Sequence, residues 1–163
     1  MLQETPQVLI ALEQSGLAAA IRQSTWAYPA ANVGHILALT LFAASVAAMD
    51  ARLLGAFAAA PPADVVRPAR GLAMVGLLLM AITGSVLFTA EASHVAMNPV
   101  FQIKAVLIAL GVLNALLAGR ALNAVLDQAK AFEPLPTRIR LAALLSSIIW
   151  LSVAACGRLI AYF

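Results

Sequence analysis

Four ionisable residues stand out because each lies in or beside a long apolar run: His35, His94, Lys104 and Arg158. An ionisable side chain within a bilayer-length apolar segment marks a functional site by default. Neutral imidazole ligates haem iron and other transition metals, and nearby cations would balance propionates or other anions. His35 follows an aromatic entry, Trp26-Ala-Tyr28-Pro29, with Asn32 one turn before it on the same helical face. Around the second histidine, Glu91, His94 and Met97 set an oxygen, a nitrogen and a sulfur donor at a spacing of three. Other chemistries are poorly served: there is no glycine-rich phosphate loop, no serine or cysteine nucleophile paired with a base, and no pair of carboxylates within one apolar run. Cys156 is the single cysteine and sits in an apolar stretch, so an intrachain disulfide is excluded and a small core residue is the expected role.

The elements that must position these residues follow from composition. The chain is 63% hydrophobic and only 10% charged, which leaves too few polar residues to coat a soluble domain of 163 residues. Its ten basic residues are scattered rather than interleaved with aromatics, so the net charge of +3 gives no nucleic-acid signature. Four segments approach the roughly 20 apolar residues needed to cross the hydrocarbon core: 29–49, 71–90, 100–119 and 139–162. Backbone groups in lipid must be satisfied within each segment, which predicts an all-α, integral membrane, four-helix up-down bundle over residues 26–163. Residues 1–25 read as an amphipathic helix at the membrane interface, with Val8, Leu9, Leu12, Leu17 and Ile21 opposite Gln7, Glu13, Gln14 and Arg22. Met1–Pro6 lacks a basic n-region, and no removable leader is expected.

Lysine and arginine counting orients the bundle. The first and third connections with their flanks carry Arg52, Arg67, Arg70, Arg120, Lys130, Arg138 and Arg140, against Arg22 alone on the other side outside the apolar runs. The expected setting is a bacterial inner membrane with both termini in the periplasm and an aromatic belt of Trp26, Tyr28 and Tyr162 on that face. Asp50 and Arg52 then close the first span with a local ion pair. Small residues at three- and four-residue spacing, such as Ala43/Ala47, Ala44/Ala48 and Gly76/Met80/Gly84, allow close helix approach.

Depth brings the ionisable residues together. At a rise of about 1.5 Å per residue, His35 lies roughly 9 Å into its span, Lys104 roughly 7 Å into its own, and Arg158 roughly 7 Å from the end of the last. All three ends face the periplasm. If the second helix continues to His94, Glu91 and His94 share one of its faces with Leu87 and Thr83 or Gly84.

Three readings stand. In the first, His35 and His94 are axial ligands of a b-type haem, Lys104 and Arg158 meet its propionates, Asn32 and Trp26 line it, and electrons pass to or from a quinone or a periplasmic redox protein. In the second, His35 and His94 hold copper or another metal ion, with Glu91 and Met97 in reach. In the third there is no cofactor, and the polar layer closes the bundle or docks a partner subunit: His35 bonds between helices, Lys104 and Arg158 reach up to the headgroups, and Trp26 and Tyr28 anchor the belt. Self-association of the bundle stays open, and the bilayer is a partner in every reading.

Trp26-x-Tyr28-Pro29 followed by His35, Asp50-Ala-Arg52-Leu-Leu-Gly55, Asn98-Pro99-x-Phe101-x-x-Lys104 and Gly157-Arg158 together resemble a family of small uncharacterised bacterial four-helix membrane proteins. That family is similar in span pattern to copper-resistance-D-type proteins and membrane b-type cytochromes. The resemblance implies an inner-membrane domain of unknown function with His35, Lys104 and Arg158 at its polar positions, and it implies no activity.

Overall fold

The computed structural model describes residues 6–160 and 162; Met1–Thr5, within the stretch read for a leader, lie outside the described residues. Four helices are long and apolar enough to span a membrane, and the protein is a multi-pass membrane protein. They are α3 (Ala27–Leu54), α4 (Pro62–Ala90), α6 (Pro99–Leu126) and α7 (Thr137–Leu159), joined by the short α1 (Gln7–Glu13), α2 (Gly16–Gln23) and α5 (Ala92–Met97). Large side chains such as Leu78, Ile103, Leu117, Ile148 and Leu151 point outward, the pattern of helices whose solvent is hydrocarbon.

Helices α3, α4 and α6 overrun their apolar segments, whereas α7 starts two residues before its segment and ends three residues short of it, because a helix ends at its caps rather than where its hydropathy falls. Ser24 accepts hydrogen bonds from the Trp26 and Ala27 N–H groups (3.3 and 3.0 Å) at the start of α3. Helix α3 ends in a left-handed Gly55 (φ 117°), with the Ala56 N–H on the Ala51 carbonyl and the Gly55 N–H on the Arg52 carbonyl. Pro62 opens α4, where its missing N–H costs nothing. Asn98 caps α6 by accepting from Val100 and Phe101 (2.9 and 3.3 Å). Much of the two arginine-rich connections is therefore helical.

The bundle is two antiparallel hairpins, α3/α4 and α6/α7, joined where α3 packs on α7. The α4–α6 side is open by comparison. It is bridged at the arginine-rich end by the Arg67–Asp127 ion pair and the Arg70–Asn123 hydrogen bond (2.7 Å), and at the opposite end by stacked Phe88 and Phe101 rings 5.6 Å apart. The main core clusters Leu53, Val66, Leu122, Leu126, Leu135, Ile139 and Ala143 near the arginine-rich end.

The N-terminal amphipathic segment is two helices, not one. The break falls at Gln14–Ser15, where Ser15 Oγ accepts the Ala18 N–H (3.2 Å) and starts α2. The pair folds over the end of the bundle, burying Ala18 and Ile21. Arg22 donates to the last carbonyl of α4, Ala90 (2.8 Å), and to the Glu13 carbonyl (3.0 Å). The Glu13 carboxylate accepts from the Ser93 N–H (2.8 Å) and the Ser93 hydroxyl at the start of α5.

Those Ser93 bonds, reinforced by the charges of Arg22 and His94, hold the Glu13 carboxyl below its ordinary value of 4.5. A depressed carboxyl favours the docked state above the unfolded value and loses that contribution as pH falls through the lowered folded value. Acidification below 4.5, or Glu13→Gln at any pH, should release α1 and α2 while the four spanning helices persist. Amide hydrogen exchange over residues 7–23 and 92–97 measures this, and unchanged protection in Glu13→Gln contradicts it.

Candidate functional site

Of the ionisable residues singled out, His35 has the most constrained surroundings. It sits two turns along α3, half-buried, with Nδ1 2.9 Å from Thr83 Oγ1 on α4. The Thr83 hydroxyl hydrogen is already committed to the Leu79 carbonyl (2.7 Å), so its oxygen acts as acceptor toward the ring. With that hydroxyl donated to the backbone, the arrangement suits a neutral imidazole protonated on Nδ1, which donates to Thr83 and leaves Nε2 as the accepting nitrogen. Gly84 makes room for this ring: a Cβ there would lie 3.2 Å from His35 Cε1.

Lys104 on α6 joins the same layer. It is half-buried, its charge acts on the His35 ring, and its Nζ would lie 3.5 Å from a Cβ at Gly157 on α7. Among the described residues no hydrogen-bond acceptor or carboxylate pairs with that ammonium. One residue from each spanning helix thus frames the layer: His35, Thr83, Lys104 and Gly157.

The remaining sequence candidates lie elsewhere. Glu91 leaves the helical conformation (φ −140°, ψ 38°), so α4 does not continue to His94, and α5 restarts on a different course. His94 is exposed and its charge acts on Glu13, placing it at the α1–α5 seam. Glu91 accepts a long hydrogen bond from the Tyr28 hydroxyl (3.4 Å). Arg158 turns outward to the Tyr162 hydroxyl (2.7 Å), its guanidinium carbon 5.0 Å from that ring's centre. Trp26 is 80% exposed, and Asn32 is exposed too. Among the described residues no three His, Cys, Asp or Glu side chains converge as a metal-ion site.

A second polar site, at the other end of the bundle, was hidden in the sequence by ending the first span at Met49. The expected Asp50–Arg52 pair does not form, since residues two apart on a helix point to different sides. Asp50 is 2% exposed and its carboxylate accepts from Ser147 (3.1 Å), with the Ser146 hydroxyl alongside. Arg52 instead donates Nε and Nη2 to the Ala60 carbonyl (3.2 and 2.8 Å). Asp50 borders a cavity of about 530 Å³ between the two hairpins, closed toward the His35 layer by Phe42 and Trp150 in edge-to-face contact at 4.5 Å. The available signal was the serine pair Ser146-Ser147 inside an otherwise apolar span.

Architecture and polar layers together define a small polytopic helical membrane protein with ionisable groups held between its spans. The chain matches the family of unknown function DUF6644 over residues 16–163 and belongs to that family. No curated protein and no solved structure matches the chain.

Proposed function

We propose that the protein is an inner-membrane electron carrier in which His35 Nε2 is the chain's ligand to a b-type haem, exchanging electrons with a quinone in the bilayer or a redox protein on the side of α1, α2 and α5. The observation that carries this reading is the Thr83 hydrogen bond. A ligating histidine characteristically donates its second ring N–H to a fixed acceptor, which sets the tautomer and orients the ligating nitrogen. Lys104, without a carboxylate partner in this layer, supplies a cation for a propionate. With His94 at the α1–α5 seam, a second axial ligand would have to come from outside this layer. The arginine-rich end is assigned to the cytoplasm on the distribution of Lys and Arg.

The same bond also favours a second reading, in which His35 and Thr83 only tie α3 to α4 and the protein is a structural or assembly subunit. Purification in detergent from cells supplied with haem precursor separates the two. The first predicts a Soret band that shifts on dithionite reduction, is lost in His35→Ala with folding retained, and is weakened in Thr83→Val. A colourless protein, destabilised in His35→Ala by about 1 kcal/mol as expected for an interhelical hydrogen bond in a membrane, establishes the second. Metal analysis of the colourless sample tests the copper alternative.

A further inference from the structure

The cavity behind the open α4–α6 side has a chemistry of its own. Its walls are apolar apart from Asp50, Arg70, Asn114, Arg120, Asn123 and Ser146. Asp50 is the decisive group: nearly fully buried, on the cavity wall, with serine hydroxyls and no cation as its partners among the described residues. A buried carboxylate facing such a space calls for an occupant that can donate a hydrogen bond to it. Arg70 spends Nη1 on Asn123, and its other N–H groups remain donors at the same space.

The way in is lateral. Between the Phe88–Phe101 stack and the Arg70–Asn123 bond, no hydrogen bond or ring contact joins α4 to α6 among the described residues. The gap faces hydrocarbon, so the occupant comes from the bilayer and has a long apolar part. Its head must offer both a donor, for Asp50, and an acceptor, for Arg70. A phospholipid acyl chain offers neither, and a lipophilic cation would meet Arg70 and Arg120 at the same cavity.

We propose that this cleft binds an isoprenoid quinol, one ring hydroxyl donating to Asp50 and the other ring oxygen accepting from Arg70, with its tail leaving between α4 and α6. The site deepens the electron-transfer reading by naming where the reduced form of a quinone partner sits, but it lies in the other half of the bundle from His35 and does not require haem.

Trp150, on the cavity wall, is the reporter. The chain has two tryptophans, so Trp26→Phe leaves Trp150 as the only one. Decylubiquinol, kept reduced under anaerobic conditions and titrated into this variant in detergent, should change its emission saturably, whether or not the protein is coloured. Asp50→Asn should weaken the apparent affinity by about tenfold or more, the equivalent of one hydrogen bond to a charged group. Ala115→Phe, which adds a ring to the cleft wall on α6 and leaves Asp50 in place, should abolish saturation even if the first substitution impairs folding. A change that rises linearly with quinol and ignores both substitutions is partition into the micelle and overturns the proposal. Reversal of the change by phosphatidylglycerol, with no response to Asp50→Asn, assigns the cleft to phospholipid and overturns it equally.

Discussion

Arg52→Met should lower the stability of the protein by about 3 kcal/mol, read as a fall in the thermal midpoint in detergent and as early proteolysis in the 55–61 loop. Arg52 is 1% exposed, yet it forms no ion pair with a carboxylate among the described residues. Its charge is tolerated for two local reasons. The side chain leaves the last turn of α3, where the negative end of the helix dipole favours a cation. Its guanidinium also fixes the loop that reverses the chain into α4, through two donors on the Ala60 carbonyl. That loop is held again from outside by the Phe132 N–H on the Ala58 carbonyl (2.8 Å). Methionine fills much of the same space but leaves the carbonyl without these donors. Arg52→Lys retains the charge and loses the planar fork, so it should fall between the two. A midpoint for Arg52→Met equal to that of the parent protein would show that water replaces the guanidinium at no cost.

This residue also shows where reading the sequence reaches its limit. Four apolar runs and the spread of arginines are enough for the number of spans, because bilayer thickness imposes a length and lipid imposes helices. Helix ends are set by single residues, Gly55, Pro62 and Asn98, that an average over twenty positions cannot weigh. Ending the first span at Met49 placed Asp50 and Arg52 in a connection and paired them, whereas one more turn of helix sends them to opposite sides. Depth along each helix was legible too, which is why His35 and Lys104 were expected in one layer. Their neighbours were not. Thr40, Thr83, Ser85 and Thr89 all satisfy their hydroxyls on the carbonyl four residues back, and only the register between α3 and α4 selects Thr83 for His35. His94 was lost to the layer by one residue, Glu91, whose backbone ends α4. The alanines at 43, 44 and 47 have the spacing of a helix contact and are exposed instead, since periodicity gives a stripe without saying what faces it.

Gly76→Leu should be the most disruptive substitution in the α3–α4 hairpin, because what it meets is backbone. A Cβ at Gly76 would lie 2.9 Å from the Phe42 amide nitrogen and 3.0 Å from its Cα, so no rotamer change relieves the clash and the two helices must separate. Overpacking a close contact costs about 1–3 kcal/mol, and a contact between helix axes belongs at the upper end. The consequence reaches further than stability. Phe42 and His35 are two turns apart on α3, and Gly76 and Thr83 two turns apart on α4, so one antiparallel register sets both meetings. Forcing the helices apart at the first should lengthen the His35–Thr83 bond at the second and release the ring's Nδ1 proton from its acceptor. Phe42 also carries the edge contact to Trp150, so the wall between the cavity and the His35 layer should loosen with it. Gly71→Ala is the control on the same helix: a Cβ there meets nothing within 4 Å, and alanine should be neutral or better. The two variants are compared by thermal midpoint and by histidine nitrogen chemical shifts, which report the tautomer directly. A Gly76→Leu protein that keeps both the parent midpoint and the Nδ1-protonated signature would mean that α3 and α4 do not meet in this register.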